Sequence, residues 1–318
     1  MAEWLIERGI GEDRALLVDN GHALAARMRW SGELAAGRTV SATLVQRAKG
    51  ASRGVAKTHD GHEILVDRLP KSASEGAQIQ ISITRAAMAE RGRLKRAQGR
   101  WRDGDDAPSP DEFLAAGTIV RRFPASLWEA VWSEAWDGDV PFPGGTLLFA
   151  ITPGMTVVDV DGPLPPRELA LAAVPAIAAA LRRFDLGGSI GIDFPTLQQK
   201  ADRQAVDAAL AEALAGWPHE RTAMNGFGFV QVVARNSGPS LLHRLQLHRT
   251  GAAARALLRR AEGLDGAGAV ELAAHPNVLA AIQPEWLAEL ARRSGREVRL
   301  KNDAALAFEG SHAQIVAR

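Results

Sequence analysis

Short apolar runs rich in β-branched residues, broken by Gly, Asn and Asp, dominate the first 86 positions. WLIERGI, RALLVDN, HALAARMRW, RTVSATLVQRA, RGVAKT, HEILVDRL and AQIQISITR each have the length and composition of a strand. Several strands in so few residues predict a small barrel or a strongly twisted sheet over residues 1–86. The pattern fades over residues 87–125. Arg91, Arg93, Lys95, Arg96, Arg100 and Arg102 surround Trp101, and the acidic DGDDAPSPDE follows. A basic run and then an acidic one, with little apolar content, predicts a solvated linker. Contact of the basic run with RNA, through phosphates and one stacked base, is the alternative.

From 126 to 245 the periodicity alternates. GGTLLFAIT and MTVVDVDG read as two strands joined at Pro153–Gly154, and residues 166–184 as a helix with Pro166 near its start. GSIGIDF reads as a buried strand, 195–215 as a helix begun near Pro195 and stopped by Gly216, and FGFVQVVAR as another strand. This order predicts an α/β core with a largely buried sheet. Residues 246–318 predict a small α/β subdomain, with helices at about 251–262, 268–274 and 284–294, then the strands EVRLKN and AQIVAR.

Composition narrows the class. The chain has 318 residues, 46% hydrophobic and 24% charged, as in ordinary globular proteins. Its apolar stretches are too short to cross a membrane, and its first residues lack a signal-peptide core, which predicts a cytoplasmic protein. With no cysteine, disulfides and cysteine-ligated zinc are excluded. The formal net charge is +1, so any attraction to nucleic acid must be local.

Asp159 and Asp161 close one apolar strand and Asp193 closes another. Residues two apart on a strand share a face, and ligands of α/β sheets bind at the carboxyl ends of strands. If the strands are neighbours, three carboxylates converge, and a hard dication, Mg²⁺ or Mn²⁺, is their natural partner. Such an ion positions water and polarises a phosphodiester. The plainer alternative makes Asp161–Gly162 a turn and Asp193 the cap of the helix near Pro195.

These residues also resemble the catalytic core of the ribonuclease E/G family. TLLFAITPGMTVVDVDG looks like that family's strand pair ending in Asp-x-Asn or Asp-x-Asp. RRFDLGGSIGIDFPTLQQKADRQAVDAAL looks like its Leu-Gly-Gly-x-Ile-x-Ile-Asp-Phe block, and FGFVQVVARNSGPSL like its Phe-Gly segment ending in Pro-Ser-Leu. The blocks follow the family's order over about a hundred residues; before residue 126 the likeness is faint. The resemblance implies a deoxyribonuclease-I-like/RNase H-like core with an OB-like barrel. It also implies Mg²⁺ held by Asp159 and Asp193, and endonucleolytic cleavage of single-stranded RNA. Asp161 stands where the family commonly has Asn. Gln231 replaces a Glu, Arg235 alone stands for an Arg-rich run, and the cysteine zinc link and most of the 5′-sensor domain are missing. A homodimer is the assembly left open.

Around the aspartates, Lys200 and Arg203 are phosphate-contact candidates or else a solvated helix face. Phe227 and Phe229 are candidates for base stacking, with core packing the stronger alternative. Ser189 and Ser240 show no His–Asp partner pattern. Trp128, Trp132 and Trp136 recur every four residues on one helix face. The leading expectation is therefore a metal-dependent endoribonuclease. Its alternatives are a non-catalytic RNA-binding protein on the same scaffold and an assembly protein using the tryptophan face.

Overall fold

The computed structural model describes residues 1–90, 92–103, 117–124 and 126–317. It is a mixed α/β protein containing a closed five-stranded barrel and several further sheets. Among the described residues, no helix is long and apolar enough to cross a membrane.

Strands β1 (Glu3–Arg8), β2 (Glu12–Asp19) and β3 (His22–Trp30) form an antiparallel meander. Asn20 and Gly21, both with positive φ, make the tight turn between β2 and β3 that an Asn-Gly pair favours. These strands are not part of the barrel, contrary to the single β region expected over 1–86. The barrel is built from β4 (Thr39–Arg47), β5 (Arg53–Lys57), β6 (Glu63–Asp67), β7 (Gln78–Arg85) and β10 (Ala97–Arg102), in the order β10-β6-β5-β4-β7. Its interior is a small core of its own, including Leu44, Ile64, Ile81 and Ile83.

The expected linker is also corrected where it is described. Strands β8 (Met88–Glu90) and β9 (Arg93–Lys95) pair as a hairpin, and β10 closes the barrel against β6 and β7. The polar exterior of β10 hid it from a periodicity reading, because the inward positions are the small Ala97 and Gly99 and a half-buried Trp101, set among Gln98, Arg100 and Arg102. Gly99 is required there: a Cβ would lie 2.3 Å from the Ile81 side chain. The short β11 (Thr118–Ile119) returns to pair in parallel with β1. Arg91 and most of the acidic run lie outside the described residues.

The core begins with α1 (Leu127–Asp137). Its six-stranded sheet is ordered β12 (Asp139–Phe142), β13 (Gly145–Ile151), β14 (Thr156–Asp161), β15 (Gly188–Asp193), β17 (Phe229–Ala234) and β16 (His219–Arg221). Helix α2 (Pro166–Arg183) makes the crossover between the parallel strands β14 and β15, and α3 (Lys200–Ala213) packs beside α2. Trp128, Trp132 and Trp136 are buried, at 1%, 8% and 2% exposure. The tryptophan face is thus core, and the assembly-surface expectation falls with it.

The chain ends with α4 (Leu241–Leu247), α5 (Arg249–Glu262), β18 (Ala269–Ala274), α6 (Pro276–Ala280), α7 (Pro284–Ser294), β19 (Val298–Asn302) and β20 (His312–Val316). The last sheet is ordered β19-β18-β20. Residues 269–274 are its central strand rather than the expected helix. A short Ala-rich run buried on both faces has no period to distinguish the two.

Candidate metal and RNA site

The side chains of β14 alternate strictly. Thr156, Val158 and Val160 are buried, while Val157, Asp159 and Asp161 lie on the opposite face. On β15, Ile190 and Ile192 are buried and Asp193 is exposed. The parallel register matches Val158 with Ile192 and Asp159 with Asp193. Apolar burial therefore sets the register, and the register sets the carboxylates side by side on neighbouring strands, whose axes are about 4.8 Å apart. The six-stranded sheet buries one face under helices. Its other face carries the aspartates together with exposed Leu148 and Val233.

Asp161 shares that face but sits one step outward, opposite Thr146 on β13 and past the end of the β15 pairing. Among the described residues, no three His, Cys, Asp or Glu side chains converge as a metal-binding group. The register sets Asp159 beside Asp193, with Asp161 on the same face one step farther along β14. None of the three makes a hydrogen bond or ion pair to a described residue, although arginine–carboxylate pairs are made across the rest of the surface, such as Arg167–Asp202 and Arg221–Asp207. The plainer alternative loses its basis at Asp193. Helix α3 starts at Lys200 with Gln199 as N-cap and no side-chain cap bond, so Asp193 caps nothing. Residues 194–199 form no helix, because the helical pattern begins only after the turn that Pro195 opens.

That connection is held from α3. Arg203 Nη1 donates to the carbonyls of Leu197 (2.5 Å) and Gln198 (3.0 Å), so its guanidinium braces the chain after Asp193. Lys200 is exposed at the first turn of α3. Facing this connection is a turn that the sequence did not reveal. Asn225 Oδ1 accepts from the main-chain N–H of Phe227 (2.9 Å) and Phe229 (3.1 Å), and Gly228 N–H donates to Asn225 O (3.2 Å). Gly228 has φ +90°, and a Cβ there would lie 2.5 Å from Phe194 O. The turn is therefore pressed against the residue that follows Asp193. It presents Phe227 to solvent at 80% exposure, so core packing is excluded for this ring. Phe227 precedes the strand rather than sharing a strand face with Phe229. Phe229 pairs in register with Asp193 and leans over Gly191, where a Cβ would lie 2.5 Å from its Cζ. Gln231 Nε2 donates to Ser189 Oγ (3.1 Å) on the same face.

Arg235 lies at the opposite end of the sheet. It follows Ala234, which pairs with Gly188, so it stands about 20 Å along the strands from Asp193. It lines two adjoining cavities of about 530 and 570 Å³ between the barrel and the core. Arg38 lines the first and Arg100 the second. Arg38, Arg100 and Arg235 are exposed, and none has an acceptor among the described residues. Sequence reading missed this groove because its arginines come from three distant segments.

Ser240, expected to lack a His–Asp partner pattern, lies with its Oγ 2.8 Å from His243 Nδ1. Both are buried, and Ser240 Oγ caps α4 by accepting from His243 N–H. Burial removes substrate access, so the pair is structural. Desolvation holds the His243 imidazole down at about 4, against a favourable charge from Glu90. No family model matches this chain.

Proposed function

We propose that this protein is a divalent-metal-dependent endoribonuclease acting on single-stranded RNA, a reduced relative of the ribonuclease E/G family. The observation that carries this reading is the register pairing of Asp159 with Asp193, two exposed carboxylates without a cation at the carboxyl ends of parallel strands. In this reading the six-stranded sheet is the deoxyribonuclease-I-like/RNase H-like core, and the closed barrel takes the OB role.

The donor set fits Mg²⁺ or Mn²⁺. Mg²⁺ is commonly bound by one or two carboxylates, with water and substrate phosphate completing its shell. When bound, the ion supplies Lewis-acid polarisation of the phosphodiester and a more acidic water. Asp159 and Asp193 hold it, and Asp161 adds negative charge on the same face. Phe227 stacks a base beside the strand end. Arg38, Arg100 and Arg235 hold backbone phosphates farther along the strand as charge-assisted forks. Arg203 positions the chain after Asp193 and is not assigned a phosphate.

Incubation of the protein with a labelled single-stranded RNA, in Mg²⁺ and in EDTA, tests the proposal. Cleavage is expected in Mg²⁺ only. Cleavage unchanged by Asp193→Asn would sink it. The second reading is RNA binding without turnover, and it is favoured by Gln231 and a lone Arg235 standing where the family has a Glu and an Arg-rich run. It predicts salt-dependent binding with no product in Mg²⁺ or in EDTA.

A further inference from the structure

We infer that the cavity enclosed by β1, residues 119–123, the start of α1 and the ends of α5 and α7 is a second anion site, which takes a phosphorylated ligand. Its volume is about 740 Å³, within the range of small-molecule pockets. Among the described residues, seven arginines and three glutamates line it. The whole chain has a net charge of only +1, so this excess is local.

The floor and the rim differ. At the floor, Arg14 is fully buried. Its Nη2 donates to Glu7 Oε1 (2.5 Å), and Arg259 Nη1 donates to Glu12 Oε1 (2.9 Å). Two guanidinium groups there meet two carboxylates, so the floor is neutral. Arg14 Nε also lies 3.4 Å from Glu12 Oε1, while Arg14 Nη1 and the indole Nε1 of Trp128 have no hydrogen-bond partner among the described residues. Burial holds Arg259 down at about 10, and the charge of Arg14 adds to that effect.

The rim is cationic. Arg8 and Arg121 are exposed and have no acceptor among the described residues. Arg122 and Arg260 donate to main-chain carbonyls, of Glu262 (3.2 Å) and Ser311 (2.5 Å), and these neutralise no charge. Opposing them are Glu129 and Glu262, and Glu262 is already paired with Arg293 at 2.6 Å. A concave wall focuses such a field, and planar guanidinium forks match phosphate oxygens. None of these residues belongs to the aspartate pair or to the barrel-side groove, so the inference does not rest on the endonuclease reading.

The test is calorimetric titration of the full chain with inorganic pyrophosphate, in EDTA and at constant ionic strength, with a parallel melting curve. Saturable binding and a raised melting temperature are expected. The double variant Arg8→Ala/Arg121→Ala removes only exposed side chains that have no acceptor among the described residues. It should melt as the parent does without ligand and bind about tenfold more weakly. Displacement by a terminally phosphorylated oligoribonucleotide, and not by its hydroxyl counterpart, would assign the ligand to an RNA end. Displacement by a nucleoside diphosphate alone would assign it to a free nucleotide. Absence of saturation at millimolar pyrophosphate, or equal binding by the double variant, overturns the site.

Discussion

At the carboxyl ends of β14 and β15, Asp159, Asp161 and Asp193 have no cationic partner among the described residues. At the other end of the same sheet, where β17 runs out into Arg235, the side chains of Arg38, Arg100 and Arg235 have no acceptor among the described residues, although Glu33, Asp67 and Asp185 also line the groove. Between and around them, opposite charges are joined in the ordinary way, as in Arg53–Asp67 and Arg183–Glu134. Unpaired like charges repel, so a fold that pairs charges elsewhere keeps them apart here at some loss of stability. The two ends teach complementary chemistry: one has room for a cation, the other for the anionic strand that the cation would act on. Their separation is about 20 Å along the strands, so under the proposed function a single-stranded chain would touch both ends and be cut at only one.

Four experiments break or sharpen that contrast. The largest effect expected concerns the groove end, where His243 packs near Glu90, Lys95 and Arg244. Its folded value is about 4 against 6.5 when unfolded, so the unfolded chain takes up the proton first on acidification. Stability is therefore complete above pH 6.5 and falls as pH drops toward 4, by about 3 kcal/mol in all. Urea unfolding across this range should show the fall, and His243→Asn, which keeps an acceptor for Ser240, should flatten it.

At the other end, Asp193→Asn should cut Mg²⁺-dependent cleavage by at least about 100-fold, since loss of even an outer-shell partner reaches that scale. RNA affinity measured in EDTA should stay unchanged; a parallel loss of affinity would mean that the aspartates and the groove are not separate in function. Phe227→Ala should weaken RNA binding by about 1–3 kcal/mol without altering the melting temperature, because the ring is exposed and its turn is held by Asn225. A drop in melting temperature would reassign the ring to packing. The smallest change is expected from Arg235→Ala, which should lower the slope of log affinity against log salt by about 0.7. An unaltered slope would remove Arg235 from the strand's path.

Much of the carboxylate end was legible from alternation alone. Val158, Val160, Ile190 and Ile192 mark the buried faces, and the exposed aspartates follow by parity. The role of Phe227 was not legible, because its exposure depends on an Asn225 side chain bonding to two main-chain N–H groups within a five-residue turn. Arg203 read as a free helix cation until the fold showed the Leu197 and Gln198 carbonyls within its reach.

By itself the sequence determined four of the six strands of the core sheet and the helices beside them, the absence of thiol chemistry and the faces on which the aspartates lie, because these depend on period and composition. Tertiary structure alone decided that Asp159 stands beside Asp193 while Asp161 does not join them, that β10 closes the barrel, and that Arg38, Arg100 and Arg235 share a groove. Those outcomes depend on strand register and on contacts between segments far apart in the chain, and no local pattern encodes either.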